Sequence, residues 1–236
     1  MKNARSKVII TAAVSIILEL MVGSASRVYA EKPNPGVIPP NAEPFGRTYE
    51  EWSAKWWQWT LSLPVDQNPS FDEGGACTNG ANGQRGPVWF LTGVINQSGS
   101  AERNCTVPIG KALFFPIINV ECSTLEAPPF HGDNKAQLHA CATGFRIADV
   151  SAEIDGMAVP HLDRYRVESP LFTFTVPPSN VLGVAAGTGQ SVSNGYYLML
   201  APLSAGKHVI HFSGAFPDFP FTVGITYTLT VAPMRP

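Results

Sequence analysis

Asn119 and Glu121 are the side chains in this sequence with the strongest claim to chemistry. They close the run KALFFPIINVECS, Lys111 to Ser123, in which apolar residues follow one another almost without a break. On a regular strand, positions 119 and 121 share one face. A carboxylate placed there sits beside a dense apolar run and loses part of its hydration. That raises its pKa toward the range useful for general acid–base work. His131, ten residues further on, is close enough in sequence to assist. The competing expectation is structural: Glu121 accepts hydrogen bonds from a loop backbone or pairs with an arginine. A different chemistry, ring stacking on a flat ligand, would need aromatic side chains at a surface. Trp57 and Tyr197 are the candidates for that role.

Other reactive arrangements are absent from the sequence. There is no nucleophile elbow, phosphate loop, H-E-x-x-H motif or dinucleotide fingerprint, and no cofactor is expected. GTGQS at 187–191 has its serine last, not central. This does not exclude a hydrolase, because the paired carboxylates of glycosidases leave no short signature. Of the five histidines, His208 and His211 point to opposite faces of a strand, and only His161 and Asp163 sit at a spacing that shares a face. Asp66, Asn68, Ser70 and Asp72 echo the start of a calcium loop. Phe71 stands where such a loop needs glycine, and Cys77 where it needs glutamate. No metal site is expected.

The stretch TYEEWSAKWWQWTLSLP, Thr48 to Pro64, must organise whatever surrounds these residues, since it holds four of the five tryptophans. Thr48 and Glu51 have capping-box spacing, Glu50 and Glu51 put negative charge at the positive end of the helix dipole, and Pro64 stops the helix. Trp52, Trp56, Trp59 and Leu63 form one stripe at i, i+4, i+7 and i+11. A stripe at that period is expected to be core, packed on a sheet face. Trp57 lies beside it and is the ring expected to be partly exposed.

The rest of the chain reads mainly as strands. Pro87 to Ile95 is β-branched and aromatic, and residues 96–104 read as a polar turn. The run from Lys111 predicts a strand buried on both faces, bent or bulged at Pro116. Asn134 or Asp133 caps a short second helix near Lys135 to Thr143. Asp155-Gly156 marks a hairpin. In LFTFTV, Phe172, Phe174 and Val176 face inward; residues 177–194 read as a long loop. Tyr196–Pro202 and Lys207–Ser213 are expected to pair as a hairpin, and Ile225–Val231 alternates with threonine outside. These features predict an α+β, mainly β, two-sheet sandwich, Ig-like or jelly-roll-like, with a Trp-rich N-terminal helix and one short second helix.

Residues 1–30 have the pattern of a secretory signal peptide: Lys2, Arg5 and Lys7, then a mostly apolar run, then Val28-Tyr29-Ala30. Residues 31–47 read as a Pro-rich leader and 48–236 as a single sandwich domain. Without the signal segment, 12 basic and 17 acidic residues remain, a net charge of −5. That balance argues against nucleic acid or an anionic membrane surface as partner. No later stretch is apolar enough to span a membrane. Cys77, Cys105, Cys122 and Cys141 all lie in the exported part, and local loop closure favours Cys77–Cys105 and Cys122–Cys141. No C-x-x-C pair suggests metal.

The strings YEEWSAKWWQW, GPVWFL, GKALFFPIINVECS and GYYLMLAPLSAGKHVIHF together resemble an uncharacterised family of exported bacterial proteins. The resemblance implies export, to the periplasm or cell exterior, and no activity. Sandwich folds host many binding roles, so the leading expectation is a non-enzymatic binding or surface-assembly module, with a glycan, an envelope polymer or a protein as partner. The alternative is a hydrolase of an extracellular or cell-envelope polymer with Glu121 as acid/base and Asn119 or His131 assisting.

Overall fold

A computed structural model describes residues 35–72, 74–95 and 98–233. The expected signal peptide, 1–30, and the first residues of the expected leader, 31–34, lie outside the described residues. The chain forms two helices, α1 (Tyr49–Leu61) and α2 (Lys135–Gly144). Its strands are β1 (Gly75–Ala76), β2 (Val88–Phe90), β3 (Gly99–Pro108), β4 (Ala112–Ser123), β5 (Ala148–Ile154) and β6 (Met157–Ala158). They continue with β7 (Arg166–Glu168), β8 (Phe172–Val176), β9 (Gly187–Leu200), β10 (Gly206–Phe216) and β11 (Phe221–Ala232).

These strands make a two-sheet sandwich. One sheet has the order β1-β3-β11-β10-β5-β6; the other runs β2-β4-β9-β7, with β8 also paired to β9. β3 lies parallel to β11, and β2 parallel to β4, so each sheet is mixed. β4 is the central element because it is buried on both faces, as its unbroken apolar run requires. Phe114 turns to one side and meets Tyr49 and Trp52 of α1. Phe115 turns to the other side and stacks on Phe212 of β10, 5.1 Å between ring centroids. Helix, five-stranded sheet and six-stranded sheet therefore form three layers. The register of β4 against β9 shifts between Pro116 and Ile118, where proline cannot donate to the ladder.

α1 begins with the capping box expected of Thr48 and Glu51, each donor satisfied by the other residue's side chain. Its four indoles are buried, and each N–H has an acceptor: Trp52 on Pro44 O, Trp56 on Leu91 O, Trp57 on the Tyr197 hydroxyl and Trp59 on Asn82 O, all within 2.8–3.0 Å. Trp57 is thus only 5% exposed, against the expectation that its ring reaches solvent. A helix covered by a sheet on one side and by the 65–95 loop on the other has little free face, so stripe period alone could not rank the rings. Tyr197 is also fully buried, on β9 beneath the helix.

Other expectations shift in the same way. Residues 99–104 belong to β3, and 187–194 to β9, because neighbouring strands supply backbone partners that override their polar and glycine-rich composition. β9 and β10 do not pair as a hairpin: β9 joins the five-stranded sheet and β10 the other, so residues 201–205 cross between layers. The described part of the leader is pinned. Ile38 N donates to Met199 O, Ala201 N donates to Gly36 O, and the Tyr49 hydroxyl donates to Ile38 O. Asn68 and Asp72 of the calcium-like stretch are spent on internal bonds, Asn68 to Thr60 and Asp72 to Asn79. The Asp155-Gly156 hairpin, the inward row Phe172, Phe174 and Val176, and the alternation in β11 form as expected. Both disulfides, Cys77–Cys105 and Cys122–Cys141, have the local pairing.

Candidate functional site

β2 pairs with β4 only over Ala112–Phe114. From Pro116 onward that edge of β4 has no strand beside it among the described residues, apart from a single bridge between Ser123 and His131. A cavity of about 390 Å³ occupies the space. Its walls are β4 from Pro116 to Glu121, Trp56 and Trp57 of α1, the segment Gly93–Ile95, and a group of phenylalanines. Those rings form a connected cluster: Phe130 stacks on Phe145 at 5.4 Å, and Phe145 on Phe219 at 5.1 Å. Phe216 meets Phe145 edge-on at 5.9 Å. Phe219, 39% exposed, stands at the rim.

Among the described residues, the only ionisable side chains lining this cavity are Glu121 and Glu126. Glu121 is 4% exposed. Its Oε2 accepts a short hydrogen bond from the Ser191 hydroxyl, while Oε1 is buried and receives no donor from the rest of the protein. Glu126 Oε2 accepts from the Ser123 hydroxyl at 2.8 Å. Burial pushes the Glu121 carboxyl well above the usual carboxylate range, and the adjoining Glu126 carboxyl pushes it further; the Ser191 hydroxyl opposes both. Glu126 is also raised, by burial, against the hydrogen bonds from Glu121 and Ser123 that favour its charge. Two touching carboxyls in a poorly hydrated site cannot both ionise cheaply, so they share a proton. Burial favours the proton on Glu121, the more deeply buried of the two.

Four of the residues singled out in the sequence meet here. Asn119 Nδ2 donates to the Tyr197 hydroxyl at 2.9 Å, and Trp57 Nε1 donates to the same oxygen at 3.0 Å. Burial drives the Tyr197 phenol up to about 12, so it stays neutral, and the Glu121 carboxyl adds to that shift. Trp57 and Asn119 line the cavity; Tyr197 sits behind them and fixes both. Neither Trp57 nor Tyr197 presents an open stacking face. His131 does not reach Glu121. Its Nδ1 donates to the Glu126 carbonyl at 2.8 Å and its Nε2 faces Asp133 at 3.0 Å. The Asp133 carboxylate raises the His131 pKa and favours imidazolium at the edge of the site.

Glu126, Ser191 and the phenylalanine cluster were not legible as site residues. Glu126 lies in the loop after β4, and only the chain reversal in which Ser123 N donates to Phe130 O at 2.9 Å turns that loop back over Glu121. A local signal did exist: Ser123 and Glu126 stand three apart, and the two are hydrogen-bonded. No group of three or more His, Cys, Asp or Glu side chains positioned for a metal occurs among the described residues.

No protein-family model and no curated protein matches the chain. Among solved structures, a cysteine protease inhibitor from Entamoeba histolytica shares 13% identity, covering 61% of this chain and 94% of its own, with a TM-score of 0.22. The PbICP-C chain solved in complex with falcipain-2 shares 15% identity over 63% of this chain and 100% of its own, with a TM-score of 0.24. Amebosin follows at 11% identity and a TM-score of 0.18. At these values the likeness places the chain in no family and says nothing of its partners.

Proposed function

We propose that this protein is an exported, non-enzymatic binding module whose ligand is a small, largely apolar molecule held in the cavity beside β4. The observation that carries the reading is the cavity itself: about 390 Å³, walled by rings and aliphatic side chains, with its polar groups gathered at one place. Ligand pockets have this size and this lining, with a few placed polar groups setting orientation. Export is supported by the signal-like N-terminus and by two disulfides, which persist in oxidising compartments. No helix among the described residues is long and apolar enough to cross a membrane.

The hydrolase alternative draws less support. A glycosidase keeps its carboxyl groups about 5–9.5 Å apart so that water or a sugar carbon fits between them. Glu121 and Glu126 adjoin at one place on the cavity wall, and no other carboxyl among the described residues lines the cavity to serve as the second group. The lining also suits an apolar body better than an extended hydrophilic glycan.

Thermal unfolding of the disulfide-bonded protein against arylalkyl and short acyl compounds tests the reading. A ligand held only by the native state raises the midpoint by mass action, and Trp56 and Trp57 fluorescence should change with it. Binding that survives unchanged in Phe145→Ala and Phe219→Ala would place the ligand elsewhere.

A further inference from the structure

The Glu121–Glu126 pair specifies the charge of the ligand. Building on the cavity reading above, we propose that the pair is the receptor for an ammonium group, and that the ligand class is a small organic amine with an aromatic or aliphatic body.

The pair is short of donors. Glu121 lines the cavity and is almost wholly buried, and its Oε1, itself buried, has no hydrogen-bond partner among the described residues. An unsatisfied buried carboxyl oxygen costs free energy unless a bound group supplies a donor. The pair is also short of positive charge. Among the described residues, no lysine, arginine or histidine lines the cavity. The groups that face the pair are the hydroxyls of Ser191, Ser123 and Tyr197, all neutral. The closest cationic group is His131, which is turned to the Glu126 carbonyl and to Asp133. Arg146, next to Phe145, is held outside by Asp218 at 2.9 Å. A carboxyl pair carrying one proton therefore keeps a negative charge that the protein does not balance. A ligand ammonium seated against the pair would balance it.

The walls fit the same ligand. Ring faces attract a cation as well as an apolar body, and Trp56, Trp57 and Phe130 all border the cavity that the pair lines. A divalent metal fits poorly. Calcium takes six to eight oxygens and magnesium demands a near-octahedral set, whereas the other ligands here are ring and aliphatic carbons. An ammonium needs only two or three acceptors. An anionic ligand would meet an uncompensated carboxylate and be excluded.

The pair must lose a proton to attract a cation. Amine affinity is therefore highest at neutral to mildly alkaline pH and falls as acid protonates both carboxyls.

Calorimetric titration of the disulfide-bonded protein with 4-phenylbutylamine and with its neutral analogue 4-phenyl-1-butanol tests the proposal. At about pH 8 the amine should bind at least tenfold more tightly than the alcohol, and the preference should vanish near pH 4, where both carboxyls are protonated. Glu121→Gln and Glu126→Gln should each abolish the preference for the amine over the alcohol. Glu126 is the more peripheral carboxyl, so Glu126→Gln carries the test if Glu121→Gln does not fold. Equal binding of amine and alcohol by the unmodified protein overturns the ammonium assignment and leaves the apolar cavity standing. An amine preference that persists in the folded variants places the ammonium elsewhere and also overturns it. Binding of neither compound, at either pH, overturns the ammonium assignment and the cavity reading together.

Discussion

Arg103→Met should destabilise this protein by about 3 kcal/mol, although none of the hydrogen bonds its guanidinium makes among the described residues goes to a carboxylate. The side chain points inward from β3, in the same row as Cys105 and Val107, and is 1% exposed. Its guanidinium is satisfied by backbone. Nε donates to Asp72 O at 3.2 Å, Nη1 to Thr92 O at 2.9 Å, Nη2 to Gly93 O at 3.1 Å and Nη2 to Ser70 O at 3.4 Å. Nη1 also reaches the Tyr227 hydroxyl at 2.9 Å. One side chain thus fastens two loop segments, one ending at Asp72 and one at Gly93, to the six-stranded sheet. Methionine fills much of the volume but donates nothing. Thr92 O keeps the Tyr227 hydroxyl at 2.8 Å, but the Ser70, Asp72 and Gly93 carbonyls are left short of a donor, at roughly 1–3 kcal/mol for each that stays buried and unmade. Against that stands the desolvation cost of the guanidinium, several kcal/mol, which the variant no longer bears. The balance is a loss of about 3 kcal/mol, or about 6–12 °C in midpoint for a domain of this size. Arg103→Lys should be no rescue, because a compact ammonium with three donors cannot span acceptors on two loops. Urea unfolding with the disulfides intact, fitted with a common slope, measures the difference. A loss under about 0.5 kcal/mol in either variant, below the usual worth of even one hydrogen bond, would refute the clamp. Ser70 and Gly93 also line the cavity, so the variants should weaken ligand binding as well.

Three further outcomes follow from the same geometry. Glu121 has its folded pKa raised, so its protonated form stabilises the fold; that contribution is complete below the unfolded value of about 4.3 and is lost as pH rises through the folded one. The ligand-free protein should therefore lose stability relative to Glu121→Gln as pH rises, measured as the difference in melting midpoint; a difference that grows in the opposite sense would contradict the buried pair. Gly195→Ala should cost about 3 kcal/mol, since a Cβ there would lie 2.5 Å from Ile118 O and 2.6 Å from Asn119 Cα, backbone atoms of the facing strand; an unchanged urea midpoint would show that β4 and β9 can part freely. Replacing Cys122 and Cys141 by serine should cost about 3 kcal/mol in the loop-entropy estimate for a separation of 19 residues. Proteolysis should then reach the segment between β4 and α2, and an unaltered cleavage pattern would show that the bridge does not hold it.

Local rules settled much of this protein in advance. The capping box at Thr48 and Glu51, the bend at Pro116, the turn at Asp155-Gly156 and the alternation along β11 each depend on a few neighbouring residues, so the sequence alone determined them. The two disulfides were legible because short separations left local pairing the simplest choice. The unbroken apolar run of β4 announced a strand covered on both faces, and with it a three-layer arrangement.

Tertiary structure decided the rest. Trp57 is buried because α1 is covered from two sides, a fact that no periodicity along α1 contains. Residues 187–194 became strand because β4 and β8 offered them partners. Glu121 drew notice as a carboxyl at the end of an apolar strand, but its chemistry depends on Glu126, which a chain reversal folds back over it. The phenylalanines at 130, 145, 216 and 219 come from three separate connections and a strand end, and nothing in their spacing foretells one cluster. Proton sharing and cavity shape arise between segments distant in sequence, whereas helix caps, turns and alternation arise within one segment. For that reason the elements could be read from the chain and the site could not.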